Sequence, residues 1–89
     1  MISIGDFNFN LIENNRDCFD KEEFEGLFTD YFYNFDYIVG DYAYNKLRLK
    51  GFYKDNNKKA KDINKYSTLN KYIVDNCAYQ CKYFILEKI

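Results

Sequence analysis

Eighty-nine residues bound a single domain near the small end of what folds without disulfides or metals, and an apolar share of 47%, with 21% aromatic, supplies bulk for a core. The net charge of −1 conceals an asymmetry: ten acids against two bases give residues 1–45 a charge of −8, and eleven bases against four acids give residues 46–89 a charge of +7. Apolar runs of about four residues fall far short of the roughly 20 that a spanning helix needs, and Met1-Ile2-Ser3-Ile4 has neither a basic start nor a long apolar stretch, so no membrane association or export is expected and the cytosol is the expected location.

Phe7 to Glu13 alternates apolar and polar residues over its first five positions, the mark of a half-buried strand, and Gly5-Asp6 can turn it back onto Ile2 to Ile4. Asn14 to Asp17 breaks the pattern. Asp20 with Glu23 three residues on forms a capping box, and Phe19 with Phe24 forms the matching hydrophobic staple. Phe24, Leu27, Phe28, Tyr31, Phe32 and Phe35 then recur on one helical face, which predicts an amphipathic helix over about Lys21 to Tyr33.

Tyr37-Ile38-Val39 is apolar on both faces and reads as a central strand, bent or interrupted at Gly40. Lys46 to Lys54 alternates without a break and is a second strand of this pair. The Lys, Asn and Asp-rich stretch from Lys54 to Lys65 reads as a mobile loop. Ser67 caps a shorter helix whose buried stripe is Leu69, Tyr72, Ile73 and Cys77, and Tyr79 to Leu86 closes the chain as another central strand. This order gives one α+β domain over residues 1–89, a mostly antiparallel sheet with two helices packed on one face. The expected core is Phe9, Phe24, Leu27, Phe28, Tyr31, Val39, Leu47, Leu49, Leu69, Ile73 and Ile85.

The stretch Asp36-Tyr37-Ile38-Val39-Gly40-Asp41-Tyr42-Ala43-Tyr44, continued by Leu47-Arg48-Leu49-Lys50-Gly51-Phe52, resembles the central motif of the YutD-like family of small bacterial proteins. Cys77, Cys81, Tyr83 and Phe84 resemble its C-terminal motif, with Lys58-Lys59-Ala60 and Ser67-Thr68-Leu69 between. Tyr42 stands where the pattern has Trp, and Ala43, Asn45 and Gln80 stand where it has Gly, which weakens the case for a tight turn at 43–45. The resemblance implies a small α+β cytosolic protein and hands over no catalytic residue.

Enzyme chemistry is not expected. The chain has no histidine, which removes the usual base near neutral pH and any Ser–His or Cys–His nucleophile. Asp36 and Asp41 flank Gly40 and would make a carboxylate pair if the strand bulged there; both read more simply as turn residues. The glycines are isolated, so no phosphate loop exists. Cys77-x3-Cys81 can recruit Cys18 at most, one ligand short of a structural zinc site, so no metal and no cofactor are expected. The cysteines read as small core hydrophobes, with a redox role for Cys77 and Cys81 left open.

The most informative pattern is the basic strand. One face carries Lys46, Arg48, Lys50, Phe52 and Lys54; the other carries Leu47, Leu49, Gly51 and Tyr53. Same-face side chains repeat about every 6.6 Å, close to the phosphate repeat of a nucleic-acid strand, with Phe52 placed to stack a base. Lys58 and Lys59 follow in the loop. These seven residues, Lys46, Arg48, Lys50, Phe52, Lys54, Lys58 and Lys59, are the candidate surface for RNA or a ribonucleoprotein such as the ribosome. Two other readings stay open: a solvated strand edge guarded by lysines, and an acidic protein partner or self-association through the oppositely charged halves, an assembly module without catalysis.

Overall fold

A computed structural model describes residues 2–43, 45–76 and 82–89. The first hairpin forms where Gly5 supplies a left-handed turn (φ +57°), folding Ile2–Ile4 (β1) antiparallel onto Phe7–Asn14 (β2), with Ile2 opposite Phe9. The helix that follows starts where the capping box placed it. The Asp20 side chain accepts the N–H of Glu23 at 3.1 Å, and the staple rings of Phe19 and Phe24 lie 5.9 Å apart.

That helix, Lys21–Leu27 (α1), is shorter than the periodicity predicts. Phe28 leaves helical geometry (ψ 92°), its N–H shared between the carbonyls of Phe24 and Glu25, and a separate 3-10 turn covers Asp30–Phe32. Gly26 in the last turn and the β-branched Thr29 both favour the break. It has a packing consequence: Phe35, freed from the helical register, lies over Gly51 so closely that a Cβ there would sit 2.1 Å from the ring. The same break leaves Leu27 41% and Tyr31 70% exposed, so neither belongs to the core as expected.

Tyr37–Ala43 (β3) runs straight through Gly40 without interruption and pairs with Lys46–Phe52 (β4) across a two-residue turn. Asn45, just before β4, takes a left-handed φ of +63°, a conformation asparagine tolerates better than most residues, so this position does not require glycine. Leu69–Asn76 (α2) follows a 3-10 turn over Tyr66–Thr68 and leads to Tyr83–Lys88 (β5). Ser67 lies inside that turn rather than capping the helix, and its N–H is taken by the Asp55 carboxylate at 2.9 Å. The five strands form one antiparallel sheet in the order β1-β2-β5-β3-β4.

The α+β class, the antiparallel sheet and the two helices are as expected, but the helices divide between the two faces. On one, Phe24 and Phe28 pack with Phe9, Ile38, Phe84 and Leu86; on the other, Leu69 of α2 packs with Tyr37, Val39, Phe52 and Ile85. The reason is in β3 and β5 themselves: neighbouring residues such as Ile38 and Val39, or Phe84 and Ile85, point to opposite sides and all are buried. A strand apolar on both faces needs cover on both.

The Lys54 to Lys65 segment is pinned rather than loose. Asp36 accepts the N–H of Lys54 (2.8 Å) and the side-chain amide of Asn57 (3.1 Å), and Tyr53 exchanges backbone bonds with Asn64 and Tyr66. Tyr44, Cys77, Tyr79, Gln80 and Cys81 lie outside the described residues.

Gly40 sits under the ring of Phe84, where an added Cβ would meet Cζ at 2.1 Å. Gly40→Ala is expected to lower stability by about 1–3 kcal/mol through overpacking. Phe84→Leu in the same chain should return part of that loss, read as the shift in urea midpoint at constant slope.

Candidate functional site

The basic face of β4 is real as a geometric alignment, yet it is solvent-facing only toward its Lys46 end. Its Phe52 end forms part of the floor beneath α2. Phe52 is 0% exposed and meets the ring of Tyr72 edge-on at 5.6 Å between centroids. The expected base-stacking platform is therefore a core residue, and that part of the RNA surface is corrected. Alternation specifies that Lys46, Arg48, Lys50 and Phe52 share a side; it does not say whether a helix covers that side.

Each cation on this face has a different environment. Lys46, at the start of β4, is exposed. Arg48 stands directly opposite Asp41 in the β3–β4 register and grips its carboxylate twice, Nη2 to Oδ2 at 2.7 Å and Nε to Oδ1 at 3.3 Å. The Asp41 side chain is 4% exposed and that of Arg48 48%, so the pair links a buried anion to the surface. The hydrogen bonds and charge of Asp41 push the guanidinium's pKa further up from its ordinary value. Lys50 is half-buried, its ammonium 5.3 Å from the Phe52 ring centre and 5.5 Å from that of Tyr72, a cation–π arrangement. Burial raises the Tyr72 hydroxyl's pKa, and nearby Asp41 adds to it.

Lys54, Lys58 and Lys59 are exposed in the turns beyond the C-terminal end of β4. The seven candidate residues are thus split: four share one strand face and three extend past it. Of the ion pairs among the described residues, Arg48–Asp41 joins the acidic half to the basic half, while Lys21–Glu25, Lys65–Asp62 and Lys71–Asp75 each stay within one half.

Asp36 and Asp41 are engaged separately. Asp36 is occupied in holding the loop after β4, and Asp41 lies inside β3 against Arg48, so the two carboxylates have separate partners. Asp41 is a strand residue and not the turn residue expected. Cys18 is partly buried, which pushes its thiol pKa up and away from the thiolate. Sequence reasoning missed Tyr42, whose hydroxyl donates to the Glu23 carboxylate and ties β3 to the first turn of α1. Among the described residues, no helix is long and apolar enough to cross a membrane.

Comparison with known proteins agrees with this architecture. A family model described as "Putative antitoxin YutD-like" matches residues 3–87. "Putative antitoxin YutD" of Bacillus subtilis (strain 168) is 45% identical over 89 residues, spanning 100% of this chain and 98% of its own length. The solution NMR structure of protein yutD from B. subtilis superposes with a TM-score of 0.81 at 45% identity, covering 100% of this chain and 81% of that one.

Two substitutions separate a structural floor from a binding ridge. Phe52→Ala is expected to lower folding stability by about 3–5 kcal/mol through the cavity it leaves. Arg48→Met strands the Asp41 carboxylate and should cost about 1–3 kcal/mol, and pairing it with Asp41→Leu should recover most of that loss in a double-mutant cycle. Denaturant unfolding of the parent, the Phe52→Ala chain and the three chains that complete the cycle reads both.

Proposed function

The chain belongs to the YutD-like family, and on that premise we propose that it is a non-catalytic, cytosolic protein-binding module that acts as an antitoxin by holding a protein partner inactive. The antitoxin role comes from the name its relative carries; the choice of a protein over RNA comes from this chain's own geometry. The observation that carries it is the burial of Phe52. Binding of single-stranded nucleic acid draws on aromatic rings open to the bases as well as on cations, and the ring that the basic strand offered is closed off under α2. What remains exposed is cationic charge beside a sheet edge, which suits acidic side chains and backbone groups of a protein.

The exposed lysines along and beyond β4, Lys46, Lys54, Lys58 and Lys59, favour the same reading, because exposed cations steer an acidic partner. The absence of histidine and the separate engagement of Asp36 and Asp41 support a role without catalysis.

Affinity capture from a bacterial extract, with the tagged chain as bait at low ionic strength, tests this. A protein should be retained in fixed ratio, survive nuclease treatment, elute as salt rises, and recombine with the chain from purified components. Retention of material that nuclease abolishes would instead put RNA backbone, contacted by Lys46, Lys54, Lys58 and Lys59, in the partner's place.

A further inference from the structure

Among the described residues no strand pairs with the outer side of β4, and the chain shows just beyond it how that edge accepts one. Tyr53 donates its N–H to the carbonyl of Asn64 at 2.7 Å and accepts the N–H of Tyr66 at 2.8 Å, a single parallel bridge centred on Lys65. The carbonyl of Phe52 points the other way, toward β3, where it accepts the N–H of Asp36 at 2.9 Å. Backbone groups alternate sides along a strand, so those of Gly51, Leu49 and Leu47 face outward as those of Tyr53 do.

We propose that this edge takes an extended segment of a protein partner as a sixth strand, and that the segment alternates acidic and apolar residues. The inference rests on the protein-binding reading and specifies its mode. On one side of the edge, Lys46 and Lys50 stand roughly 13 Å apart, with Arg48 between them engaged by Asp41. Acidic side chains opposite the two lysines make favourable cross-strand pairs. On the other side Leu47 and Leu49 are partly buried, and a cleft of about 360 Å³ beside Leu47 includes the exposed Leu27 in its lining. An apolar side chain opposite Leu47 enters it. A second cleft of about 380 Å³ lies at Lys50, walled by Tyr72 and Ile63; its acids Asp62 and Asp75 are already paired with Lys65 and Lys71.

The same charges select against the simplest competitor. A second copy laid antiparallel on β4 and centred on Arg48 sets Lys46 against Lys50 and Arg48 against its own counterpart, like charges directly opposed. The edge therefore refuses itself and admits an acidic strand.

A titration of the isotopically labelled chain decides the matter, using a blocked peptide of about seven residues alternating glutamate and valine, against one alternating lysine and valine. The acidic peptide should slow amide exchange at Leu47, Leu49 and Gly51 and leave Arg48 and Lys50 unchanged. It should bind about tenfold more tightly than the basic peptide, the sum of two cross-strand charge pairs. The Lys46→Glu/Lys50→Glu chain should reverse that preference. Lys50 packs over two rings, so amide dispersion checks that this variant folds; Lys46→Glu alone, at an exposed site, should still weaken the acidic peptide about threefold. Equal binding of the two peptides, no saturable effect at millimolar acidic peptide, or protection confined to the loop at Lys58 and Lys59 would overturn the inference. If a captured protein partner is held equally by the parent and the Lys46→Glu chain, strand addition at this edge falls while the protein-binding reading stands. If nuclease removes everything captured, the reading itself falls.

Discussion

Burial of β3 and β5 on both faces constrains everything else in the molecule, because a pleated strand with apolar residues on successive positions must be covered twice. Ile38, Phe84 and Leu86 require one layer and Val39 and Ile85 another. The chain meets the first demand with the phenylalanines of α1 and the segment after it, and the second with α2 and the Phe52–Tyr72 contact. Gly40 and Gly51 follow from the same demand: each leaves a space on the α1 side that a phenylalanine ring fills, Phe84 over Gly40 and Phe35 over Gly51. Aromatic volume, and not helix length, covers most of this small sheet.

Local grammar was legible and face assignment was not. The first hairpin, the Asp20 cap on the N–H of Glu23, and the staple of Phe19 on Phe24 depend on residues within a few positions of one another, and they form as read, while the Glu23 carboxylate that a full capping box would use takes the Tyr42 hydroxyl. The helical stripe was overextended because Phe28, Tyr31, Phe32 and Phe35 keep the right spacing after the backbone has left the helix. Tyr31 and Leu27 lose their burial there for a reason that periodicity cannot register. Phe52 failed in the opposite sense. Its alternation with the lysines is visible in the strand, but the helix that covers it lies seventeen residues later, and nothing local says on which side of the sheet α2 will pack.

The Asp41–Arg48 pair shows how that misreading arises physically. Seen as sequence, Arg48 is one of four cations spaced for phosphates; in the sheet it is the counter-ion of an enclosed carboxylate on the neighbouring strand. An anion at that depth needs a hydrogen-bonded partner, and the half-exposed guanidinium supplies one while keeping its outer side toward water. The pair also fixes register, since a slip of one residue between β3 and β4 would set Asp41 against a leucine.

The position of β5 bears on when the protein comes into being in a cell. This strand, at residues 83–88, is inserted between β2 and β3, and among the described residues it alone pairs the hairpin β1–β2 with the hairpin β3–β4 in the sheet. While a ribosome is still making residues 53–82, the two hairpins have no strand between them, and each keeps an open inner edge. Joining them closes loops of some seventy residues to β2 and forty to β3, contacts of long sequence separation that form late and slowly. A nascent chain therefore emerges with two adhesive edges awaiting one short strand, and the window in which it depends on dilution or chaperones lasts until residues 83–88 are free.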